Sequence, residues 1–132
     1  MLVHPGGPFW KNKDAGSWTI PKGEFSENED AFDAAKREMN EELGMELTGH
    51  FVQLATVKLK SGKVIHAWAL EADLETDRIM SNTCEVEWPP RSGKKISIPE
   101  IDRGAWFMEK QAKEKIHPAH VALIDELILL LH

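Results

Sequence analysis

Three glutamates on one predicted helix have residue types and a spacing that suit metal chemistry. Glu38, Glu41 and Glu42 stand three and four positions apart, so they share one helical face. Like charges at these spacings repel each other, and carboxylates near a helix C-terminus also oppose the helix dipole. The cluster is therefore electrostatically unfavourable unless a cation occupies it. Carboxylate oxygens without nearby His or Cys suit a hard ion such as Mg²⁺ or Mn²⁺.

The alternative is a solvated acidic face, partly neutralised by Lys36 and Arg37, because charge runs on helices mostly lie at the surface. The residues around the cluster favour the metal site. Their spacing is Gly23, five residues, Glu29, seven residues, Arg37-Glu38-Met39, one residue, Glu41-Glu42, one residue, and Gly44-Met45. Seven identical residues at fixed spacing arise by accident on the order of once in a million chains of this length.

This spacing is the Nudix box, and the chain resembles the Nudix hydrolase family. The box covers residues 23–45. The order of strands and helices around it fits the family's αβα sandwich, an α/β fold with a mixed central sheet, over nearly the whole chain. Residues 4–10 and 16–24, together with residues 87–93 and 99–103, resemble a small bacterial branch labelled as predicted nucleoside triphosphate pyrophosphohydrolases.

The resemblance implies a metal site and a reaction. Glu38 and Glu42 would be direct ligands, Glu41 would complete the shell directly or through water, and a backbone carbonyl of Lys22 or Gly23 would add a ligand. In the family, Mg²⁺ or Mn²⁺ holds the phosphates of a nucleoside diphosphate linked to a group X and helps to generate the attacking water. The implied catalytic residues are Glu29, Arg37, Glu38, Glu41 and Glu42, with Arg37 orienting Glu38 and Glu29 holding the loop against the helix.

The general base is left open by the resemblance. Some family members use the glutamate that matches Glu38, while others use an acid outside the box. Glu85, Glu87 and Glu100 are the candidates for such an acid here. Glu85 and Glu87 alternate on a predicted strand and therefore share a face, which is equally consistent with an exposed polar surface.

Substrate contacts are predicted around one aromatic residue. Trp88 precedes a loop that carries Arg91, Lys94 and Lys95, so it would stack a base while the cations meet a polyphosphate. Alternatively, Trp88 belongs to the core and the loop is merely solvated. The candidate substrate-binding residues are Lys22, Gly23, Glu85, Glu87, Trp88, Arg91 and Lys94. Signatures of better-defined subfamilies are missing, which leaves a nucleoside triphosphate or a dinucleoside polyphosphate as the expected substrate.

Hydrophobic periodicity and turn residues predict the elements that position these side chains. We expect a first helix over residues 30–43, begun by Asp30 or by Ser26 with Glu29, and ended by Gly44. The other predicted segments are strands at 1–4, 17–20, 84–88 and 104–107, a hairpin of 51–59 with 63–70, an exposed loop at 89–99, a helix at 109–116 and a final amphipathic helix from Pro118.

Composition limits the class of protein. The 132 residues suffice for one domain, predicted to be a single Nudix hydrolase domain over 1–132, and 22 acidic against 16 basic residues give a net charge of −6. An acidic chain does not favour nucleic acid or a membrane surface as partner. The single cysteine, Cys84, excludes an intramolecular disulfide. We therefore expect a cytoplasmic protein with a nucleotide-type small-molecule substrate.

One departure from the family pattern is the apparent absence of the strand that usually precedes residues 2–4. Its loss would leave a sheet edge exposed, to be explained by truncation or by a second subunit that covers the edge. The apolar tail at residues 127–131 favours such a homodimer. The missing strand also favours the alternative function of a catalytically weak Nudix-fold sensor that binds a nucleotide, although three intact box glutamates favour an enzyme.

Overall fold

Helix α1 spans Ala31–Leu43 and carries the acidic cluster. In the computed structural model, which describes residues 1–21 and 29–131, the Asp30 carboxylate accepts hydrogen bonds from two backbone N–H groups of the first turn. Gly44 ends the helix with a φ of 68°, a left-handed conformation that costs glycine little because it has no Cβ. The predicted helix and its Gly44 cap are confirmed. Asp30 provides the N-cap, and Ser26 lies outside the described residues.

Strand β1 (Leu2–Pro5) is paired on both of its sides. It runs antiparallel to β8 (Ile101–Ala105), and on its other side Val3 exchanges two backbone hydrogen bonds of 2.8 and 2.9 Å with Thr19. Trp18 then makes a single parallel bridge to residue 116. The sheet edge that the sequence led us to expect is therefore not at β1. The strand predicted at 17–20 is reduced to these two bridges.

The remaining described strands form antiparallel pairs. They are β2 (Phe51–Gln53) with β5 (Trp68–Leu70), β3 (Val57–Lys58) with β4 (Val64–Ile65), and β6 (Thr83–Glu87) with β7 (Lys95–Pro99). The predicted hairpin is confirmed as two consecutive short ladders. Where the resemblance implies one mixed central sheet, the described residues form four two-stranded antiparallel sheets, and parallel pairing is limited to the single bridge at Trp18.

The prediction of an exposed loop over residues 89–99 is wrong for its second half. Lys95–Pro99 is strand β7, in which Ile96 and Ile98 are half-buried while Lys95 and Ser97 are exposed. This alternation is the pattern of a strand with one covered face, but the charged turn before it obscured the pattern. The last strand is also earlier than predicted, because β8 lies at Ile101–Ala105.

Helices lie on both faces of the β1–β8 pair. Val3 packs with Ile101 of β8 and Leu43 of α1, while Leu2 packs with Trp18 and with α2 and α3. Successive strand residues point to opposite faces, so one strand joins both layers. The later helices are α2 (Glu109–Lys115) and α3 (Val121–Leu131), with short 3-10 turns at Thr76–Arg78 and Pro118–His120. This arrangement confirms the α/β class and its αβα layering.

The C-terminal end of α3 is apolar at the surface. Leu129, Leu130 and Leu131 are 78%, 48% and 68% exposed. Nothing in the structure shows what covers these side chains, so the homodimer stays a prediction. Within residues 1–21 and 29–131, no helix has the length and apolar character needed to cross a membrane.

A charged network fastens the segment before Trp18 to α2. The Asp14 carboxylate accepts hydrogen bonds from the Lys115 ammonium and from the Trp18 indole N–H. These bonds, the one from Lys115 first, lower the pKa of Asp14 below its ordinary value of 3.8. The carboxylate therefore holds a buried aromatic residue and a helix end together.

We predict that the free energy of unfolding of Asp14→Asn falls less steeply than that of wild type as the pH is lowered. A lowered pKa in the fold means that the Asp14 contribution is present above pH 3.8 and is lost as the pH falls through the folded-state pKa. The variant should therefore be less stable than wild type at pH 7, and the difference should narrow below about pH 4. Urea unfolding followed by tryptophan fluorescence at pH 7 and pH 3 measures both values.

The matched control is Asp73→Asn, which removes an exposed carboxylate that no hydrogen bond or ion pair of the described chain engages. We expect the same stability as wild type at both pH values. A constant difference between Asp14→Asn and wild type at pH 7 and pH 3 would contradict the assignment.

Candidate active site

A single arginine organises the acidic face of α1. The Arg37 guanidinium donates two parallel hydrogen bonds of 2.8 and 2.9 Å to the Glu29 carboxylate. It also donates to Glu38 at 3.0 Å and to Glu41 at 3.2 Å. The hydrogen bonds to Glu29 and then Glu41 raise the pKa of Arg37. One permanent cation therefore holds three carboxylates on one face.

Burial fixes the C-terminal half of α1 against the sheet. Leu43 is fully buried between Val3 and Ile101, and the neighbouring Glu42 is only 6% exposed. Glu38 is intermediate, with 16% of its side chain exposed, whereas 42% of Glu41 is exposed. The acidic face thus runs from the solvent into the edge of the core.

Residues 80–82 join the end of α1 to the turn between β7 and β8. The backbone N–H groups of Met80 and Asn82 donate to the carbonyls of Leu43 and Glu41, both at 2.9 Å. The Asn82 carbonyl in turn accepts from the N–H of Glu100 at 3.0 Å. Two hydrogen bonds through Asn82 therefore connect the acidic helix to Glu100.

The Glu100 carboxyl lies in the negative field of α1. Burial raises the pKa of Glu100, and the charges of Glu38 and Glu41 raise it further. Glu85 and Glu87, the other two acids outside the box considered from sequence, lie exposed on β6. Of the three acids, Glu100 is the one that the hydrogen bonds through Asn82 connect to α1.

The donor set fits a hard divalent cation. Glu38, Glu41, Glu42 and Glu100 offer carboxylate oxygens, the ligands that Mg²⁺ and Mn²⁺ prefer. The pKa of Glu100 is raised first by burial and then by the charges of Glu38 and Glu41, and a cation would relieve this second, repulsive contribution. As the side chains stand, no three His, Cys, Asp or Glu residues among 1–21 and 29–131 form a group that could hold a metal ion. Arg37 supplies the positive partner in this arrangement.

An aromatic cavity of about 320 Å³ has one wall that is hydrogen-bonded to the backbone of Glu100. The Gly6 N–H, on the cavity wall, donates to the Glu100 carbonyl at 3.0 Å. A Cβ on Gly6 would collide with the Pro99 carbonyl, so the close approach of this loop to the turn requires glycine. The cavity is lined by Gly6, Gly7, Pro8, Phe9, Trp10, Val86, Glu87, Trp88, Pro90 and Ile98.

The predicted substrate-binding residues do not all lie together in the structure. Glu87 and Trp88 line the cavity. Arg91 and Lys94 are exposed on the turn between β6 and β7, outside the cavity lining, and no ion pair of the described chain engages them. Glu85 belongs to neither group: it lies on β6 opposite Ser97 and does not line the cavity. The other candidates, Lys22 and Gly23, fall outside the described residues.

Comparison with known families agrees with this geometry. A family model described as NUDIX domain matches residues 2–127. The chain belongs to the Nudix hydrolase family. It is therefore an enzyme that acts on pyrophosphate bonds, in compounds that contain a nucleoside diphosphate linked to another moiety, and such enzymes generally use divalent metal ions. No curated protein and no solved structure matches the chain.

The first wall of the cavity was missed in the sequence of this Nudix hydrolase. Phe9 and Trp10 follow a Pro-Gly-Gly-Pro turn, and their approach to Trp88 depends on the pairing of β1 with β8. The available signal was two aromatic residues directly after a turn, in a chain whose aromatic content is 8%. Two aromatic residues after a turn do not indicate which distant strand the side chains of Phe9 and Trp10 will face.

We predict that Gly44→Ala loosens the connection between α1 and residues 80–82. A left-handed φ costs a residue with a Cβ about 1–2 kcal/mol, and the new Cβ would also collide with the Met80 carbonyl. Urea unfolding should show a loss larger than the conformational cost alone, by about 1 kcal/mol or more.

Gly62→Ala is the matched control. Gly62 has a φ of 90°, but open space surrounds the position where its Cβ would lie. It therefore reports the conformational cost without the collision. If both variants lose the same free energy of unfolding, Met80 moves aside at no cost and the connection between α1 and residues 80–82 is not rigid.

Proposed function

We propose that this chain, acting as one domain, is a Mg²⁺-dependent hydrolase of a phosphoanhydride in a nucleoside triphosphate or a dinucleoside polyphosphate. The observation that carries the proposal is the acidic cluster of α1, joined through residues 80–82 to Glu100. The aromatic cavity, in which Gly6 is hydrogen-bonded to the Glu100 carbonyl, supports a nucleotide as the substrate. An apolar cavity with few polar groups beside a charged centre is the usual form of a small-molecule site.

The proposed metal site uses the carboxylates of Glu38 and Glu42 as ligands, with Glu41 completing the shell directly or through water. The backbone carbonyl of Lys22 or Gly23 remains a proposed further ligand. A bound Mg²⁺ would neutralise charge on the phosphate oxygens and favour deprotonation of the attacking water. Mn²⁺ has the same preference for oxygen ligands.

Arg37 and Glu29 would act as positioning residues. Arg37 donates to Glu38 and Glu41 and is itself held by two hydrogen bonds to Glu29. Such a bidentate contact fixes the plane of the guanidinium and so limits the rotamers of the carboxylates that it touches. Glu38 is thereby held in one orientation.

We assign the role of general base to Glu100 rather than to Glu38, Glu85 or Glu87. A carboxylate beside the acidic face but outside α1 is suited to take a proton from water while the α1 carboxylates hold the metal. In the reaction, the water oxygen would bond to one phosphorus, the anhydride P–O bond would break, and the bridging oxygen would leave with the other phosphoryl group as a phosphate or pyrophosphate anion. One proton of the water would pass to Glu100 and then to solvent.

Further substrate contacts are proposed where β6 ends and in the turn that joins it to β7. Trp88 would stack the base inside the cavity, where Glu87 offers hydrogen-bond acceptors. Arg91 and Lys94, which no ion pair of the described chain engages, would meet the outer phosphates.

We predict that Glu38→Gln and Glu42→Gln each lower kcat/KM by about a hundredfold or more, because each removes a charged oxygen donor from the metal site. The test measures hydrolysis of nucleoside triphosphates, diadenosine polyphosphates and ADP-ribose with and without Mg²⁺. Metal-dependent cleavage of one substrate class, lost in both variants, is the expected result.

Glu114→Gln is the control, because it removes an exposed glutamate on α2 by the same chemical change. Circular dichroism melts of all three variants separate loss of folding from loss of activity. Hydrolysis that needs no metal ion would overturn the proposed mechanism. Mg²⁺-dependent nucleotide binding without turnover would support the second candidate function, a catalytically weak nucleotide-binding sensor.

Substitution of the proposed base should separate kcat from KM. We expect Glu100→Gln to lower kcat by about 10²–10⁴-fold with little change in KM, because a general base acts in the transition state. The same change at Glu85, which does not line the cavity, should have a much smaller effect. A larger loss of kcat in Glu85→Gln than in Glu100→Gln would instead identify Glu85 as the general base.

A further inference from the structure

The aromatic cavity has a wall that contains a single ionisable side chain. Phe9, Trp10 and Trp88 supply aromatic surface, and the other lining residues except Glu87 are glycine, proline or aliphatic. Its volume of about 320 Å³ lies at the lower end of the range of about 300–1,000 Å³ for small-molecule sites. A planar ring is the group that such walls bind best.

One corner of this cavity is preformed. The rings of Phe9 and Trp10 meet edge to face, with centroids 5.0 Å apart and planes at 83°. The Lys13 ammonium lies 3.6 Å from the centre of the Phe9 ring and 5.1 Å from that of Trp10. This cation holds both rings from a position outside the cavity lining.

Glu87 ends strand β6, opposite Lys95 of β7. No ion pair or side-chain hydrogen bond of the described chain engages its carboxylate. An ionised carboxylate only accepts hydrogen bonds, so it favours a ligand that presents N–H groups and disfavours one that presents a carbonyl oxygen. A carbonyl oxygen placed against this carboxylate would bring two acceptors together, which is repulsive, so the carboxylate discriminates between the two kinds of ligand.

We propose that Glu87 makes the cavity selective for nucleotides whose base carries an exocyclic amino group, such as adenine or cytosine. The base lies between the aromatic walls and its amino group donates to Glu87. Bases that present a carbonyl at the same position, hypoxanthine or uracil, are rejected. This selectivity rests on the proposed function, since it assigns the base to the cavity beside the acidic centre.

The test compares nucleotides that differ only at this position. For wild type we expect kcat/KM to be at least about tenfold higher for ATP than for ITP, and for CTP than for UTP. In Glu87→Gln both ratios should fall to near 1, because an amide both donates and accepts. Glu114→Gln, on α2, should keep the wild-type ratios.

A binding measurement makes the outcome independent of turnover. AMP and IMP are titrated into wild type and Glu87→Gln, and quenching of tryptophan fluorescence reports occupancy, since Trp10 and Trp88 line the cavity. Tighter binding of AMP than IMP in wild type but not in the variant supports the inference even if no nucleotide is hydrolysed. Equal affinities, no binding, or a preference that survives Glu87→Gln would overturn it. Equal hydrolysis of ATP and ITP would overturn it and leave the proposed hydrolase intact.

Discussion

The architecture of the candidate site depends on the electrostatic cost of grouping carboxylates at the C-terminal half of α1. Glu38, Glu41 and Glu42 repel each other there and oppose the helix dipole. Arg37 offsets part of this cost by holding Glu38, Glu41 and Glu29 at once. A bound cation would relieve the remaining repulsion, and enzymes of the Nudix family generally use divalent metal ions.

Packing fixes this group of carboxylates against the β1–β8 pair. Leu43, fully buried between Val3 and Ile101, fixes α1 on one face of the β1–β8 pair. The next residue, Gly44, ends the helix, and the chain at residues 80–82 closes on the last carbonyls. The carbonyls that a helix end leaves unpaired thus become the attachment point for the segment that positions Glu100.

Glu100 is the point where the charged and the apolar parts of the site meet. Its N–H bonds to the Asn82 carbonyl on the side of α1, while its carbonyl accepts from Gly6 on the side of the cavity. The backbone of one residue therefore ties the acidic helix to an aromatic wall formed by the turn after β1 and the hairpin of β6 and β7. The proposed substrate, which has a planar ring and a polyphosphate, matches this division.

Sequence alone determined α1, its C-cap at Gly44, the identity of the acidic cluster and the family. These features depend on local spacing: a 3.6-residue period, a glycine in a left-handed turn and a fixed box. The structure decided that Asp30, one of two N-caps that the sequence allowed, begins the helix. Tertiary structure alone decided that Lys95–Pro99 is a strand, that Phe9 and Trp10 face Trp88, and that Glu100 rather than Glu85 is tied to α1. The physical reason is that strand pairing and cavity walls join residues far apart in the chain, and a side chain does not encode which distant segment it will meet.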